Sequence, residues 1–441
     1  MVEAGNSFGH PKRVEGAELE QRRRKASLIA EAWRLGGIDA VAVGANDWQL
    51  GRTVIFDLGA QLPLLAANLT CGDTNPFPPS VVEQRGGHTI GVVGLTAGEV
   101  SGCEVSDPVA AATAAVAQLP EEVDFTVILA PLSHQAVQSL AAAGLADLVV
   151  DGASGRRRKA PESTGASYVA SLGSRSKYLG VLEVQFVEGA TGFVLGNEDQ
   201  HAREAVNRIA DRLETARSRV RTASKPADLK RAVEIVAHYE QQLAEAEKKL
   251  DEIRSKQGGA NVIDARQVEL SRDIEDEPRT AQLVGDVKEL VTGAPVAAAA
   301  SGPRLAPAGS PFAGADTCRG CHPSEYAQWS TTGHGHAWQT LVKERRQLDH
   351  DCYGCHATGV GTAGGPTAPV EVAGLRDVQC EACHGAAREH LRDPAAHKPL
   401  ADPAEALCVV CHDGDQDGGR FDFETYRPKI VHDAVPTGKK K

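Results

Sequence analysis

A five-residue pattern, Cys-x-x-Cys-His, occurs four times in the last third of the chain. Two thiols three residues apart can add to the two vinyl groups of one porphyrin, and the histidine that follows can bind the iron. A Cys-x-x-Cys pair alone would also suit zinc or a redox-active dithiol, but neither explains a histidine after every pair. The pattern therefore predicts four covalently bound haem c groups. Their attachment cysteines are Cys318, Cys321, Cys352, Cys355, Cys380, Cys383, Cys408 and Cys411, and their proximal histidines are His322, His356, His384 and His412.

Histidine is the expected second axial ligand of most or all of the irons. Methionine is excluded because the only one is Met1, and ten of the 15 histidines lie after residue 317. Bis-histidine ligation predicts closed, low-spin haems of low potential that transfer electrons, whereas a haem without a second histidine would be open to a small ligand. The distal candidates are His334, His336, His350, His390, His397 and His432.

Composition indicates a soluble protein of two or three domains. The chain has 441 residues and 41% hydrophobic content, and no apolar run approaches the ~18 residues of a membrane span. A net charge of −12 argues against a nucleic-acid partner; redox proteins are the partners to expect. The two cysteines outside the haem patterns, Cys71 and Cys103, suit either a disulfide or two small buried thiols.

The location follows from the haem chemistry. Covalent haem attachment in bacteria takes place outside the cytoplasmic membrane, so we expect a periplasmic or extracytoplasmic protein. The first residues have neither the basic nor the apolar region of a signal peptide. The sequence therefore predicts a truncated start from which the signal segment is missing.

Residues 1–197 alternate short apolar runs with amphipathic helical patterns, as in an α/β domain. The predicted helices are 22–36, 107–118 and 133–144. The predicted strands are 39–44, 62–68, 89–94, 126–130, 148–151 and 179–186.

At Gly44-Ala-Asn-Asp-Trp-Gln-Leu-Gly51 and Leu65-Ala-Ala-Asn-Leu69, this region resembles the calcineurin-like metallophosphoesterase fold of the 5′-nucleotidases, over residues 1 to about 290. The resemblance implies a sandwich of sheets with a two-metal site at the strand ends. The family's Asp-x-His motif would lie before Met1, which is a second reason to expect a truncated start.

Most of the implied metal ligands are absent from this sequence. Asn6 stands in the Gly-Asp position, Asn46 lies in the third motif, and Gly152-Ala-Ser-Gly155 falls where Gly-His-x-His is expected. Only His134 matches a ligand position. Two divalent cations need several carboxylate and imidazole ligands, so we expect a degenerate, inactive scaffold whose site around Asn6, Asn46 and His134 is empty.

Residues 198–256 change to long helical patterns with apolar seams. They predict an antiparallel helical hairpin, of coiled-coil type, inserted before the closing segment 257–292 of the α/β domain. The seams suit packing within the hairpin or on the scaffold, or alternatively self-association or docking. Residues 293–312, rich in Ala, Pro and Gly, predict a linker to a domain at 313–441.

The second resemblance covers residues 315–432 and is to the tetrahaem cytochrome c-554 family. It rests on three runs, namely Cys318–Trp329 with Thr332-Gly-His-Gly-His-Ala337, Val378–Gly385 with Glu389-His390, and Cys408–His412 with Phe421–His432. It implies a small, mostly helical or irregular domain in which one haem can be five-coordinate.

The same resemblance implies which histidines are distal ligands. Carried over, they are His334 (or His336), His390 and His432. The haem on Cys352 and Cys355 is then the one without an assigned sixth ligand, and His350 and His397 are its spare candidates.

These observations predict an exported tetrahaem cytochrome that relays electrons between redox partners. One alternative is an oxidoreductase acting on a small nitrogen or sulfur species at the haem of His356. A second is a metal-dependent phosphoesterase. The basic run 156–159 suits a solvated loop or a guide for an acidic redox partner.

Overall fold

The structure is a computed structural model that describes residues 1–174, 176–196, 198–222, 226–257, 259–271, 273–292, 302–417 and 420–432. It divides into two compact units. The sheet unit comprises Met1–Asn6, Ile38–Trp48 and Pro63–Ile274, and the helical unit comprises Ser7–Gly37, Gln49–Leu62 and Glu275–Lys441. Two segments from the first part of the chain, Ser7–Gly37 and Gln49–Leu62, thus belong to the same unit as the predicted haem domain.

All described strands belong to the sheet unit. They are β1 (Val2–Glu3), β2 (Ala40–Ala42), β3 (Leu64–Leu65), β4 (Leu69–Thr70), β5 (Ser80–Arg85), β6 (His88–Gly94), β7 (Glu104–Val105), β8 (Phe125–Ala130), β9 (Leu148–Asp151), β10 (Glu162–Thr164), β11 (Ser167–Ala170), β12 (Tyr178–Gln185), β13 (Phe193–Leu195) and β14 (Asn261–Glu269).

The main sheet has six strands in the order β10-β11-β9-β8-β6-β5, with parallel pairs in the middle and antiparallel pairs at both edges. Its register aligns Val93, Ile128, Val149 and Val169 across four strands. Because side chains alternate between the faces of a sheet, these residues enter one buried cluster and their neighbours enter another. The sheet is therefore buried on both faces, as its apolar strands predict.

The described helices are α1 (Gly16–Gly36), α2 (Arg52–Gly59), α3 (Pro108–Val116), α4 (His134–Ala143), α5 (Glu198–Thr222), α6 (Pro226–Gln257), α7 (Pro278–Thr292), α8 (Ala315–Cys318), α9 (Pro323–Ser330), α10 (Ala337–Lys343), α11 (His350–His356), α12 (Cys380–His384), α13 (Arg388–Arg392), α14 (Glu405–Cys408), α15 (Gly414–Asp417) and α16 (Phe423–Tyr426). Side-chain caps begin several of them, as Ser133 does for α4. Gly37, in the left-handed conformation, ends α1.

The predicted fold class is confirmed: a mixed α/β part precedes a small, mostly helical one. The two seams at 198–256 form α5 and α6, which run antiparallel and bury Leu213, Ala216, Ala232, Leu250 and Ile253. Their exposed faces are linked by the ion pair of Arg217 with Glu240, 2.9 Å apart. Several short strands were missed, including β10 and β11, because segments of three or four residues are too short to show a period.

Two further observations concern the cysteines outside the four patterns and the length of apolar helices. Cys71 and Cys103 are joined in a disulfide across 32 residues, so of the two readings the structure contains the disulfide. None of the described helices combines the length and the apolar character of a membrane span.

Candidate haem-binding site

Each Cys-x-x-Cys-His pattern lies on one short helical turn. In the first and fourth patterns the histidine N–H donates to the carbonyl of the first cysteine, His322 to Cys318 and His412 to Cys408, both at 2.9 Å. The second and third patterns lie within α11 and α12. Residues four apart on a turn project to the same side, so the two thiols and the imidazole of each pattern can approach one planar group. None of these eight cysteines forms a disulfide.

Six of the predicted histidines meet in three pairs. Two imidazoles that bind one metal ion from opposite sides, through bonds of about 2 Å, hold their ring centres roughly 6 Å apart. The observed spacing fits this arrangement and is too wide for direct stacking of rings. The pairs are His322 with His390 at 6.4 Å, His334 with His412 at 6.0 Å, and His384 with His432 at 6.2 Å between ring centres.

Hydrogen bonds orient the paired imidazoles. A ligating histidine usually gives its second ring nitrogen to a carbonyl or carboxylate, which fixes the tautomer. In these three cases Nδ1 is engaged and Nε2 is left for a metal. The contacts are His384 Nδ1 with the Leu400 carbonyl at 2.5 Å, His390 Nδ1 with the His397 carbonyl at 2.8 Å, and His432 Nδ1 with Gln328 Oε1 at 3.1 Å.

Two distal candidates are held in the form that binds metal. Burial, and secondarily the adjacent imidazole of His412, lowers the pKa of His334. Burial and the imidazole of His384 lower the pKa of His432 in the same way. Both rings therefore favour the neutral state, which is the ligating state of histidine.

The fourth proximal histidine, His356, has no such partner. Its Nδ1 contacts the Ala337 carbonyl at 2.6 Å and Thr340 Oγ1 at 3.2 Å. Within the described chain no second imidazole is in ring contact with it. Of the unassigned histidines, His336 and His397 are exposed, and the ring of His350 packs edge-on against Tyr353.

Thiols of different patterns are neighbours. Cys318 is hydrogen-bonded with Cys380, and this bond, with burial, raises the pKa of Cys318. Cys411 is hydrogen-bonded with Cys355 in the same manner. The first pattern thus adjoins the third, and the second adjoins the fourth.

A buried carboxylate fixes the first pattern against the third. Glu381, between the two cysteines of the third pattern, accepts hydrogen bonds from the backbone N–H groups of Ala313, Gly314 and Ala387, the shortest to each being 2.8 Å. Gln379 accepts a further bond from the N–H of Ala315 at 2.6 Å. Polar contacts therefore replace part of the apolar core in this small unit. Sequence reasoning missed both roles, since no pattern distinguishes a buried glutamate from an exposed one.

The segment before the first pattern belongs to the same structure. Arg304 forms an ion pair with Asp377 at 2.8 Å, and Asp377 accepts the N–H of Trp338 at 2.9 Å. The predicted linker 293–312 is therefore wrong for 302–312, whose composition concealed these contacts. Residues 293–301 lie outside the described residues.

The region fits haem better than zinc. The described residues contain no group of three or more Cys, His, Asp or Glu side chains arranged to hold a metal ion directly, which is what a zinc site requires. Trp338 Nε1 is buried without a hydrogen-bond acceptor in the described structure. Such orphaned donors are rare, and this one packs beside Tyr353 and Ala357, next to α11. Carboxylates of a bound porphyrin are acceptors of the type it lacks.

At the strand ends of the sheet unit, by contrast, the polar groups already have hydrogen-bond partners within the protein. Asp47, fully buried, accepts the N–H groups of Asn6 and Gly44, each at 2.8 Å. The Asn6 side chain accepts from the N–H of Asn46 at 2.9 Å and donates to the Gly152 carbonyl at 3.2 Å. The structure thus brings together Asn6, Asn46 and the turn at Gly152, and their polar groups bond to one another. His134 is the exposed first residue of α4.

The basic run beside this region is only partly solvated. Arg158 is buried and forms ion pairs with Asp151 at 3.3 Å and Glu162 at 3.1 Å. Arg157 lies over the ring of Tyr178, 3.5 Å from its centre. The solvated-loop interpretation is therefore wrong for Arg158, whose burial a run of like charges could not reveal, whereas Arg157 is exposed.

Comparison with protein families supports the cytochrome interpretation. Residues 317–385 match the family described as cytochrome c554 and c-prime. This match supports a c-type cytochrome in that part of the chain, and the family implies covalently bound haem c. Comparison with curated proteins gives no match.

Comparison with solved structures gives distant likenesses. They include a 5′-nucleotidase precursor from Thermus thermophilus (22% identity, TM-score 0.35, 42% of each chain), sulfate thiohydrolase SoxB from the same organism (19%, 0.36, 43% of this chain and 36% of that one) and the NAD nucleotidase NadN of Haemophilus influenzae (17%, 0.35, 42% and 37%). The chain spans less than half the length of each.

Proposed function

We propose that this chain is an exported tetrahaem c-type cytochrome that relays electrons through three closed bis-histidine haems and a fourth haem open on one side. Three imidazole pairs, 6.0–6.4 Å between ring centres, carry the proposal, together with His356, which no second imidazole contacts within the described part of the chain. The cytochrome family match at 317–385 supports the same class.

The residues divide the work of holding the cofactor. The eight thiols would attach four porphyrins, and the pairs His322–His390, His384–His432 and His412–His334 would close three irons. When bound, haem supplies reversible one-electron transfer, and a second imidazole in place of methionine favours low potential. The carbonyls of Leu400 and His397 hold Nδ1 of His384 and His390, and would keep both rings oriented toward a bound haem.

Adjacent attachment sites support a relay. Cys318 is hydrogen-bonded with Cys380, and Cys355 with Cys411, so the four proposed attachment sites would form two neighbouring pairs. Electrons would enter and leave through redox-partner proteins. A net charge of −12 favours a partner with a basic docking face.

The parts of the chain outside the haem patterns would indicate the compartment of the protein and provide surfaces for assembly. The Cys71–Cys103 disulfide suits an oxidising, extracytoplasmic compartment, as does covalent haem. The sheet unit would be a scaffold without phosphoesterase activity, since the polar groups at its strand ends bond to one another. The α5–α6 hairpin would serve self-association or docking.

Haem stoichiometry tests the proposal. The chain is produced in a host that attaches haem c, and its intact mass is measured after denaturation, which leaves only covalently bound haem. We expect four haems, and three in a Cys380→Ala/Cys383→Ala variant. Two or fewer in the wild type would contradict the proposal.

The unpaired His356 favours a second candidate function, reduction or oxidation of a small nitrogen or sulfur species at the fourth haem. The protein's part would be to leave one axial side free while Ala337 and Thr340 hold His356 from behind. Nitric oxide or cyanide should then shift the absorption spectrum of one haem in four. A spectrum unchanged by both ligands would exclude this candidate.

A further inference from the structure

Helix α1, far from the haem patterns in sequence, contacts the segment that leads into the second pattern. Gln21 uses both ends of its side-chain amide, donating to the Leu348 carbonyl at 2.8 Å and accepting from the His350 N–H at 2.9 Å. A side chain that completes two backbone hydrogen bonds of one turn fixes the position of that turn.

Two cations of α1 reinforce this contact. Lys25 Nζ lies 2.5 Å from an Asp349 oxygen and 2.7 Å from an Asp351 oxygen, and Arg22 pairs with Asp351. These pairs are largely shielded: the side chains of Lys25 and Asp349 are only 19% and 6% exposed. Shielded, doubly bonded pairs hold geometry better than surface pairs do. We call Gln21, Arg22 and Lys25 the α1 clamp.

The clamp acts on the helix that carries the unpaired histidine. Asp349 is the N-cap of α11 and accepts the N–H of Asp351 at 3.0 Å. The same helix holds Cys352 and Cys355 and ends at His356. No described hydrogen bond or ion pair joins α1 to the other three patterns. The clamp is therefore specific to the site that lacks a second imidazole.

Helix α1 also contacts His350, the unassigned histidine that is closest in sequence to Cys352. The backbone of His350 is bound by Gln21, and its ring packs on Tyr353 with Nδ1 4.0 Å from the Glu18 carboxylate of α1. His350 is two residues before Cys352, so unwinding the first turn of α11 would bring its imidazole within reach of the same haem. The present contacts hold it away.

We propose that α1 is a positioning element for the haem site of Cys352, Cys355 and His356. The clamp fixes the first turn of α11 and retains His350, which keeps one axial side of that site open. This inference rests on the proposed function, because it requires a haem there. Its central prediction is that loosening the clamp closes the open side while the three paired sites stay as they are.

The test compares low-temperature electron paramagnetic resonance spectra of haem-loaded full-length variants. In Arg22→Ala/Lys25→Ala we expect the high-spin signal to fall by roughly half or more as His350 gains access to the iron, with the other three haems still low-spin. Adding His350→Asn should restore the high-spin signal. Arg34→Ala, on the same helix but paired only with Glu31, is the matched control and should resemble the wild type.

A charge reversal separates positioning from general destabilisation. In a Lys25→Met background, which removes the second cation paired with Asp351, Arg22→Asp should reduce the high-spin signal further. Arg22→Asp/Asp351→Arg in the same background should recover it, because the ion pair is restored with opposite polarity. A wild-type high-spin signal in Arg22→Ala/Lys25→Ala would overturn the clamp, as would failure of the reversal to recover the signal. A wild-type protein with no high-spin signal would instead contradict the proposed open haem at His356. The proposed role of the α1 clamp depends on that haem and would be contradicted as well.

Discussion

The strand ends of the sheet unit and the histidine pairs of the helical unit use polar side chains in opposite ways. At the strand ends, the Asp47 carboxylate accepts hydrogen bonds from two backbone N–H groups, and the Asn6 side-chain amide donates to a backbone carbonyl. In the helical unit, paired imidazoles face each other with about 6 Å between their ring centres, and none of the eight thiols of the four patterns forms a disulfide. Polar groups that bond to one another need no cofactor, whereas imidazoles spaced this far apart can share a metal ion.

The largest expected effect is the opening of a second haem. His390→Ala should convert one low-spin haem to high-spin, because its partner His322 would lose the imidazole 6.4 Å away. The high-spin part of the paramagnetic resonance spectrum should then double. His336→Ala, which removes an exposed histidine outside the pairs, is the control and should change nothing. An unchanged spectrum in His390→Ala would show that the pair does not share an iron.

The next effect is on stability. Glu381→Ala should lower the free energy of unfolding by about 3 kcal/mol, since it strands buried N–H donors of Ala313, Gly314 and Ala387. Denaturant unfolding followed by haem absorbance measures this change. Glu389→Ala removes an exposed carboxylate paired with Arg392 and should cost less than about 0.5 kcal/mol. Equal effects of the two substitutions would contradict the buried role of Glu381.

A smaller effect depends on pH. Burial alone would raise the pKa of Asp349, but Lys25 outweighs it and lowers the pKa from 3.8 to about 2. A depressed carboxyl pKa contributes stability above its unfolded value and loses it on acidification. On the order of 2 kcal/mol should therefore disappear as the pH falls from about 4 to about 2.

Asp349→Asn isolates this contribution. It keeps a side-chain cap for α11 but has no charge to titrate, so its stability should depend less on pH across that window. The comparison uses denaturant midpoints at several pH values. Parallel pH profiles for the variant and the wild type would contradict the role of the Lys25 ion pair.

The smallest expected effect is at the strand ends. Manganese or zinc should neither raise the thermal midpoint nor release phosphate from nucleotides, because the Asp47 carboxylate is already bonded to two N–H groups. His134→Ala should behave as the wild type does. Metal-dependent phosphate release that disappears in His134→Ala would reverse this conclusion.

The sequence was sufficient to predict the fold class and the c-type cytochrome class, but it did not predict most of the side-chain contacts. The Cys-x-x-Cys-His repeats and the surplus of histidines are local and countable, and the apolar runs of β8 and β9 are strong signals. The roles of Glu381, Gln379 and Arg158 are not readable in this way, because whether a charged residue is buried depends on residues tens or hundreds of positions away. The contact of α1 with α11 is a case of the same kind, since the two helices are separated by more than 300 residues.

Low-temperature electron paramagnetic resonance of the oxidised, haem-loaded protein tests the central claim most directly, because it counts low-spin and high-spin iron separately. We expect three low-spin haems, from the three histidine pairs, and one high-spin haem at His356. A spectrum of four low-spin haems would contradict this expectation and would show that His356 acquires a second imidazole.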